Sequence, residues 1–163
     1  MSGLLLEYNR TTAVDYAVHW ALSRNPTYYN FDGIGGDCTN FASQCIYAGA
    51  KAMNFTPVTG WYYVNAGNRA PAWTGVDYLY RFLLSNRGAG PRGIAVGKED
   101  LLPGDLIQLG DAAGQFQHSL IVLSVENGKI TVAAHTDNSL FRPLFTYLQP
   151  NSRFVHIHGV GKH

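Results

Sequence analysis

Cys38, in the run Gly36-Asp37-Cys38-Thr39-Asn40-Phe41, is where this sequence could do covalent chemistry. The helical spacing of Cys38, Phe41, Ala42, Cys45 and Ile46 predicts a helix whose first turn holds the cysteine, fed by a loop containing Gly33, Gly35 and Gly36. A thiol at a helix N-terminus faces unpaired backbone N–H groups and the positive end of the helix dipole, which favour its thiolate. The same N–H groups can hold the oxyanion of a tetrahedral intermediate. The plain alternative is a small buried hydrophobe, the usual fate of a free cysteine, and Cys45, with no such loop, keeps that reading. Two helical turns would separate the two cysteines by roughly 10 Å, beyond the ~7 Å limit for a disulfide, so both are expected as free thiols.

A nucleophilic thiol needs an imidazole within hydrogen-bond reach and a third polar group to orient it. His118 opens the apolar run Ser119-Leu120-Ile121-Val122-Leu123 after a polar loop, a strand start at which an imidazole could meet the thiol. The next apolar run supplies His135 and Asp137, which share strand parity, so either could be the third member of a Cys38, His118 triad. His156 and His158 also share a parity, but two ligands are too few for a structural zinc site, and no Cys-x-x-Cys or His-Glu-x-x-His occurs. No metal and no cofactor are expected. Gly33-Ile34-Gly35-Gly36 lacks the Gly-Lys-Ser/Thr of a phosphate loop.

These residues need elements to position them. Residues 9–24 place Ala13, Val14, Ala17, Trp20 and Ala21 at helical spacing, with Asn9 or Thr11 as cap and Pro26 beyond the end. Residues 51–73 show no clean period and read as an ordered irregular excursion. A third helix is expected from Thr74, with Asp77 three residues after the cap and Val76, Leu79, Phe82 and Leu83 as its buried stripe. Strands follow: one after Leu102-Pro103-Gly104-Asp105, a hairpin of 118–125 and 129–135 around Asn127-Gly128, and a last strand at 153–160. Helices first and antiparallel strands second make an α+β pattern.

The 163 residues suit a single domain over 1–163. With 46% hydrophobic and only 14% charged residues, the chain is globular rather than disordered. A net charge of +1 without any run of Lys or Arg excludes the footprint of a nucleic-acid binder. No apolar stretch approaches the ~18 residues of a membrane span, and the start Met-Ser-Gly-Leu-Leu-Leu-Glu lacks a basic n-region, so it does not read as a signal peptide. Localisation stays open on this reading: cytoplasmic as made, or secreted and wall-associated if a leader has been removed. Oligomeric state is equally open, with a monomer favoured. The aromatic-rich stretch of Trp61, Tyr62 and Trp73 fills a core on the plain reading and lines a groove for an extended substrate on the sharper one.

Taken in order, Gly36-Asp37-Cys38-Thr39-Asn40-Phe41-Ala42-Ser43-Gln44, Gly60-Trp61-Tyr62-Tyr63, Leu102-Pro103-Gly104-Asp105, His118-Ser119 and Ala134-His135-Thr136-Asp137 resemble the bacterial putative amidase domain family across roughly residues 8–160. The series is also similar to the NlpC-type and CHAP cell-wall hydrolases. The resemblance implies a papain-like fold, with N-terminal helices, one bearing the nucleophile, packed on a C-terminal antiparallel sheet or half-barrel. It implies Cys38 as nucleophile, His118 as base, and His135 ahead of Asp137 as the third residue. It assigns Asp37 to bracing the loop and Tyr28 or Tyr29 to a hydroxyl at the oxyanion hole. The implied activity is cysteine-dependent hydrolysis of an amide or peptide bond in peptidoglycan. Two alternatives remain: an acyltransferase or deamidase with the same Cys-His pair, and a non-catalytic module that binds peptidoglycan or a protein.

Overall fold

A computed structural model describes residues 4–135 and 137–162. Helix α1 (Arg10–Trp20) is capped by Asn9, whose side chain accepts from Thr12 N–H, and turns Ala13 and Ala17 inward. Helix α2 (Cys38–Ala50) packs against α1 and is buried along almost its whole length, so it is a core element rather than an amphipathic surface helix. The excursion that follows holds the short hairpin of β1 (Tyr63–Asn65) and β2 (Asn68–Arg69). A one-turn helix, α3 (Pro71–Thr74), lies inside the excursion, and the helix expected from Thr74 begins two residues later, as α4 (Val76–Ser85). Gly75 caps the second in extended conformation, so Thr74 ends one helix instead of capping the next.

The rest is a six-stranded antiparallel sheet, with β3 (Gly90–Val96), β4 (Leu106–Gly110), β5 (Phe116–Glu126), β6 (Lys129–Ala134), β7 (Ser139–Pro143) and β8 (Asn151–Gly161) in the spatial order β3-β8-β4-β5-β6-β7. Asn127 and Gly128 make the β5–β6 turn with φ of 50° and 78°, the positive angles a two-residue hairpin needs. Both faces of the sheet are buried. Leu106, Ile121, Ala133 and Val155 pack against the helices, while Ile107, Leu109, Leu120, Val122, Val132 and Ala134 form a second core on the other side. That explains why the central strands read as unbroken apolar runs: successive side chains serve different cores. The architecture is the expected α+β arrangement of helices with an antiparallel sheet. Among the described residues no helix is long and apolar enough to cross a membrane.

Candidate active site

Cys38 is the first residue of α2, and the glycine loop before it turns with φ of 80°, 81° and 94° at Gly33, Gly35 and Gly36. Glycine takes such angles without a Cβ penalty. Asp37 occupies the N-cap position but makes no side-chain cap bond to its own helix. Its carboxylate turns backwards instead. Oδ1 accepts from Phe31 N–H and Asn40 Nδ2, both at 2.9 Å, while Oδ2 lies 2.6 Å from His135 Nδ1 and 3.2 Å from Arg24 Nε. Burial alone would raise this carboxyl; the bonds from His135, Asn40 and Phe31 outweigh it and hold the group below its ordinary value. Asp37 thus fastens the loop from Phe31 to Cys38 onto α2 and the end of β6.

A second polar set locks α2 against the sheet. Thr39 Oγ1 meets Ser119 Oγ at 2.9 Å, and Ser119 Oγ also accepts from Gln108 Nε2, itself bonded to Val76 carbonyl. Ser119, Gln108 and Thr39 are all buried, so each needs such a partner. This register sets Cys38 beside the start of β5, where its Sγ lies 3.7 Å from the Gln117 carbonyl oxygen. His118 is hydrogen-bonded to Cys38, and that bond, with the thiolate charge and the charge of Asp137, lifts the imidazole above 6.5 against the opposing effect of burial. Cys45 is different: it is fully buried, and burial pushes its thiol up.

The two candidates for the third residue lie in different surroundings. Strand β6 ends at Ala134, and Asp137 and Asn138 turn with φ of 59° and 29°, so the parity argument for His135 and Asp137 does not apply. His135 is buried, stacked on Phe41 at 3.8 Å, with Nδ1 on Asp37 and Nε2 2.7 Å from the Trp20 carbonyl. Both ring nitrogens are committed, and neither serves His118. Asp137 is exposed and lines the same cleft as His118. Replacing Asp137 with Asn removes a charge that favours the imidazolium. The alkaline limb of a pH–rate profile is therefore expected to move to lower pH, and an unmoved limb would remove Asp137 from the site.

The aromatic expectations divide. Trp61 and Trp73 are both fully buried, which corrects their assignment to a groove wall. Their indole N–H groups donate to Ser43 Oγ and Asn40 Oδ1, each at 3.0 Å, and they pack on one another at 4.7 Å, holding α2 from the side away from the sheet. Tyr62 is half-buried and stacks on the exposed Phe55. Tyr28 lies flat on Trp73 in this cluster, its hydroxyl pushed up to about 12 by burial. Tyr29 is exposed, and its backbone is what engages the site, its carbonyl accepting from Asn40 Nδ2. His156 is bonded to the buried carboxylate of Asp105, which also takes Arg10 and Ile157 N–H. It ties β8 to α1; among the described residues no cluster of three or more His, Cys, Asp or Glu is placed to hold a metal ion.

Sequence reasoning gave no role to Arg24, Thr39, Asn40, Gln108 and Ser119. The signal was present for two: a lone Ser and a lone Gln inside otherwise apolar strand runs must have buried partners.

The family model described as putative amidase domain matches residues 7–158. The chain is 37% identical over 145 residues to the uncharacterized protein YhbB of Bacillus subtilis (strain 168), a match covering 86% of this chain and 45% of that protein. The chain therefore spans less than half the length of that relative. No solved structure matches it. A family match running from before α1 almost to the end of β8 encompasses the whole Cys38 site, and the chain belongs to the putative amidase domain family.

Proposed function

We propose that the protein hydrolyses an amide or peptide bond through a thioester on Cys38, in a papain-like arrangement of nucleophile helix against antiparallel sheet. The family description carries amide hydrolysis in general. The cysteine mechanism rests on one placement: Cys38 opens α2 with its Sγ 3.7 Å from the Gln117 carbonyl oxygen, beside His118 at the start of β5, and the imidazole is raised by its interaction with that thiol. His118 takes the Cys38 proton, and the thiolate attacks the carbonyl carbon. The oxyanion is held by backbone N–H groups at the uncapped start of α2. The C–N bond breaks as His118 returns its proton to the leaving amine. His118 then deprotonates a water, which attacks the thioester; the C–S bond breaks, a carboxylic acid leaves and the thiol is restored. Asp137 stabilises the imidazolium. Asp37 and His135 hold the loop and exchange no protons with substrate.

The substrate class is bacterial peptidoglycan peptide, a reading that rests on the resemblance of the ordered motifs to NlpC-type and CHAP cell-wall hydrolases. The test is incubation of purified protein with peptidoglycan fragments while new amino termini are counted. Termini that accumulate only when Cys38 is intact support the reading. Intact fragments after prolonged incubation would set the substrate class aside.

A further inference from the structure

The cleft beside His118 has a volume of about 220 Å³ and is walled by Asp137, Arg142, Tyr147 and Gln149. Strand register puts Arg142 there independently. Arg142 pairs with Val132, and Val132 with Val122, so all three share a face. Along β5, Val122, Leu120 and His118 alternate onto that same face. Arg142 is also pre-set. Its Nε donates to Thr146 Oγ1 at 2.8 Å, and its guanidinium lies 3.7 Å from the centre of the Tyr147 ring. Beside it, Tyr147 Oη and Gln149 Oε1 are buried atoms with no hydrogen-bond partner among the described residues. Buried polar atoms left unpaired are costly, and the Tyr147 hydroxyl beside this guanidinium is a donor that an anionic ligand would satisfy.

On the reading that Cys38 and His118 form the active site, chemistry says what this cleft receives. The acid that protonates the leaving amine must lie within hydrogen-bond reach of its nitrogen. The substituents of that amine therefore extend from His118 into this cleft. We infer that the cleft is the leaving-amine subsite, that Arg142 binds a carboxylate carried by that amine, and that the protein prefers amides whose departing half is an amino acid bearing a free carboxylate. The cleft has room for about one residue. Nε and one Nη2 N–H of Arg142 are spent on Thr146, and its Nη1 and remaining Nη2 N–H groups are left to bind a carboxylate. Asp137, next to His118, repels a carboxylate placed at the amine end, which leaves the Arg142 end as its seat.

The subsite can be tested without knowing the acyl half. Acetylate the protein with p-nitrophenyl acetate and partition the thioester between water and added amines: an amine enters where the leaving amine departs, forming the C–N bond as the C–S bond breaks. The acceptors are alanine, alaninamide and aspartic acid α-amide, compared at equal concentrations of uncharged amine. The expected result is N-acetylation favouring a carboxylate-bearing acceptor over alaninamide by about 10- to 100-fold, the range of a charge-assisted hydrogen bond. Arg142→Gln abolishes that preference, and Arg142→Lys keeps part of it. Preference for alanine identifies a C-terminal carboxylate; preference for aspartic acid α-amide identifies an acidic side chain. Equal use of alanine and alaninamide by the wild type, with aspartic acid α-amide no better, overturns the subsite whatever the variants do. No Cys38-dependent p-nitrophenol release overturns the active-site reading itself and this inference with it.

Discussion

Cys38→Ala is expected to lower amide hydrolysis by at least about 10⁴-fold without unfolding the protein. The loss is large because no other group can take over. Cys45 sits seven positions further along α2, fully buried, its thiol pushed up by burial. Folding should survive because Cys38 contributes little to the core that Phe41, Ala42, Cys45 and Ile46 form, and the loop before it is fastened through Asp37. New amino termini released from peptidoglycan fragments, with circular dichroism on the same samples, check both halves. Equal product from the variant would end the case for a thioester.

The second large effect is on stability. His135→Ala is expected to destabilise the protein by about 3–5 kcal/mol, because it removes a buried ring stacked on Phe41 together with its bonds to Asp37 and the Trp20 carbonyl. Asp37, 1% exposed, would lose the 2.6 Å bond from Nδ1, the Trp20 carbonyl would lose its partner, and Phe41 would face a cavity. The effect also has a pH signature. The Asp37 carboxyl is held below its ordinary value of 3.8, so its contribution is present above that value and is lost as pH falls through the lower folded value. Without His135 the carboxyl is expected to rise, and acid unfolding to begin at higher pH. Urea unfolding at neutral pH and an acid titration of both proteins check this. The alkaline limb of the activity that survives should keep its wild-type position, since His135 does not touch His118. A moved limb with unchanged stability would restore His135 to the role of orienting residue.

Much of the fold was legible because local signals and burial agreed. A glycine loop running into Cys38, Phe41, Ala42, Cys45 and Ile46 marks the start of α2, and Asn127-Gly128 between apolar runs marks the β5–β6 hairpin. The strands β3 and β7 were not legible, and both lie at the edges of the sheet. Edge strands tolerate residues such as Pro91 and Pro143 and need no alternating pattern. The helix α3 was not legible because a single turn of four residues shows no periodicity.

At the site, residue types suggested chemistry that only position could apportion. His135 and Asp137 look equivalent by parity, yet the strand ends at Ala134, and one ring goes into the core beside Asp37 while one carboxylate lines the cleft with His118. Trp61 and Trp73 look like groove residues until their indole nitrogens are seen bonded to Ser43 and Asn40 of α2. Arg142 had no motif to announce it. Its significance comes from the register of three strands.

The pairing of Cys38 with His118 is tested most directly by titrating the His118 ring by NMR in the wild type and in Cys38→Ala. The hydrogen bond and charge of Cys38 hold the imidazole above 6.5 while burial pulls it down. The predicted result is a wild-type midpoint above 6.5 that falls in the variant, where burial is left to act. The same midpoint in both proteins would contradict the pair.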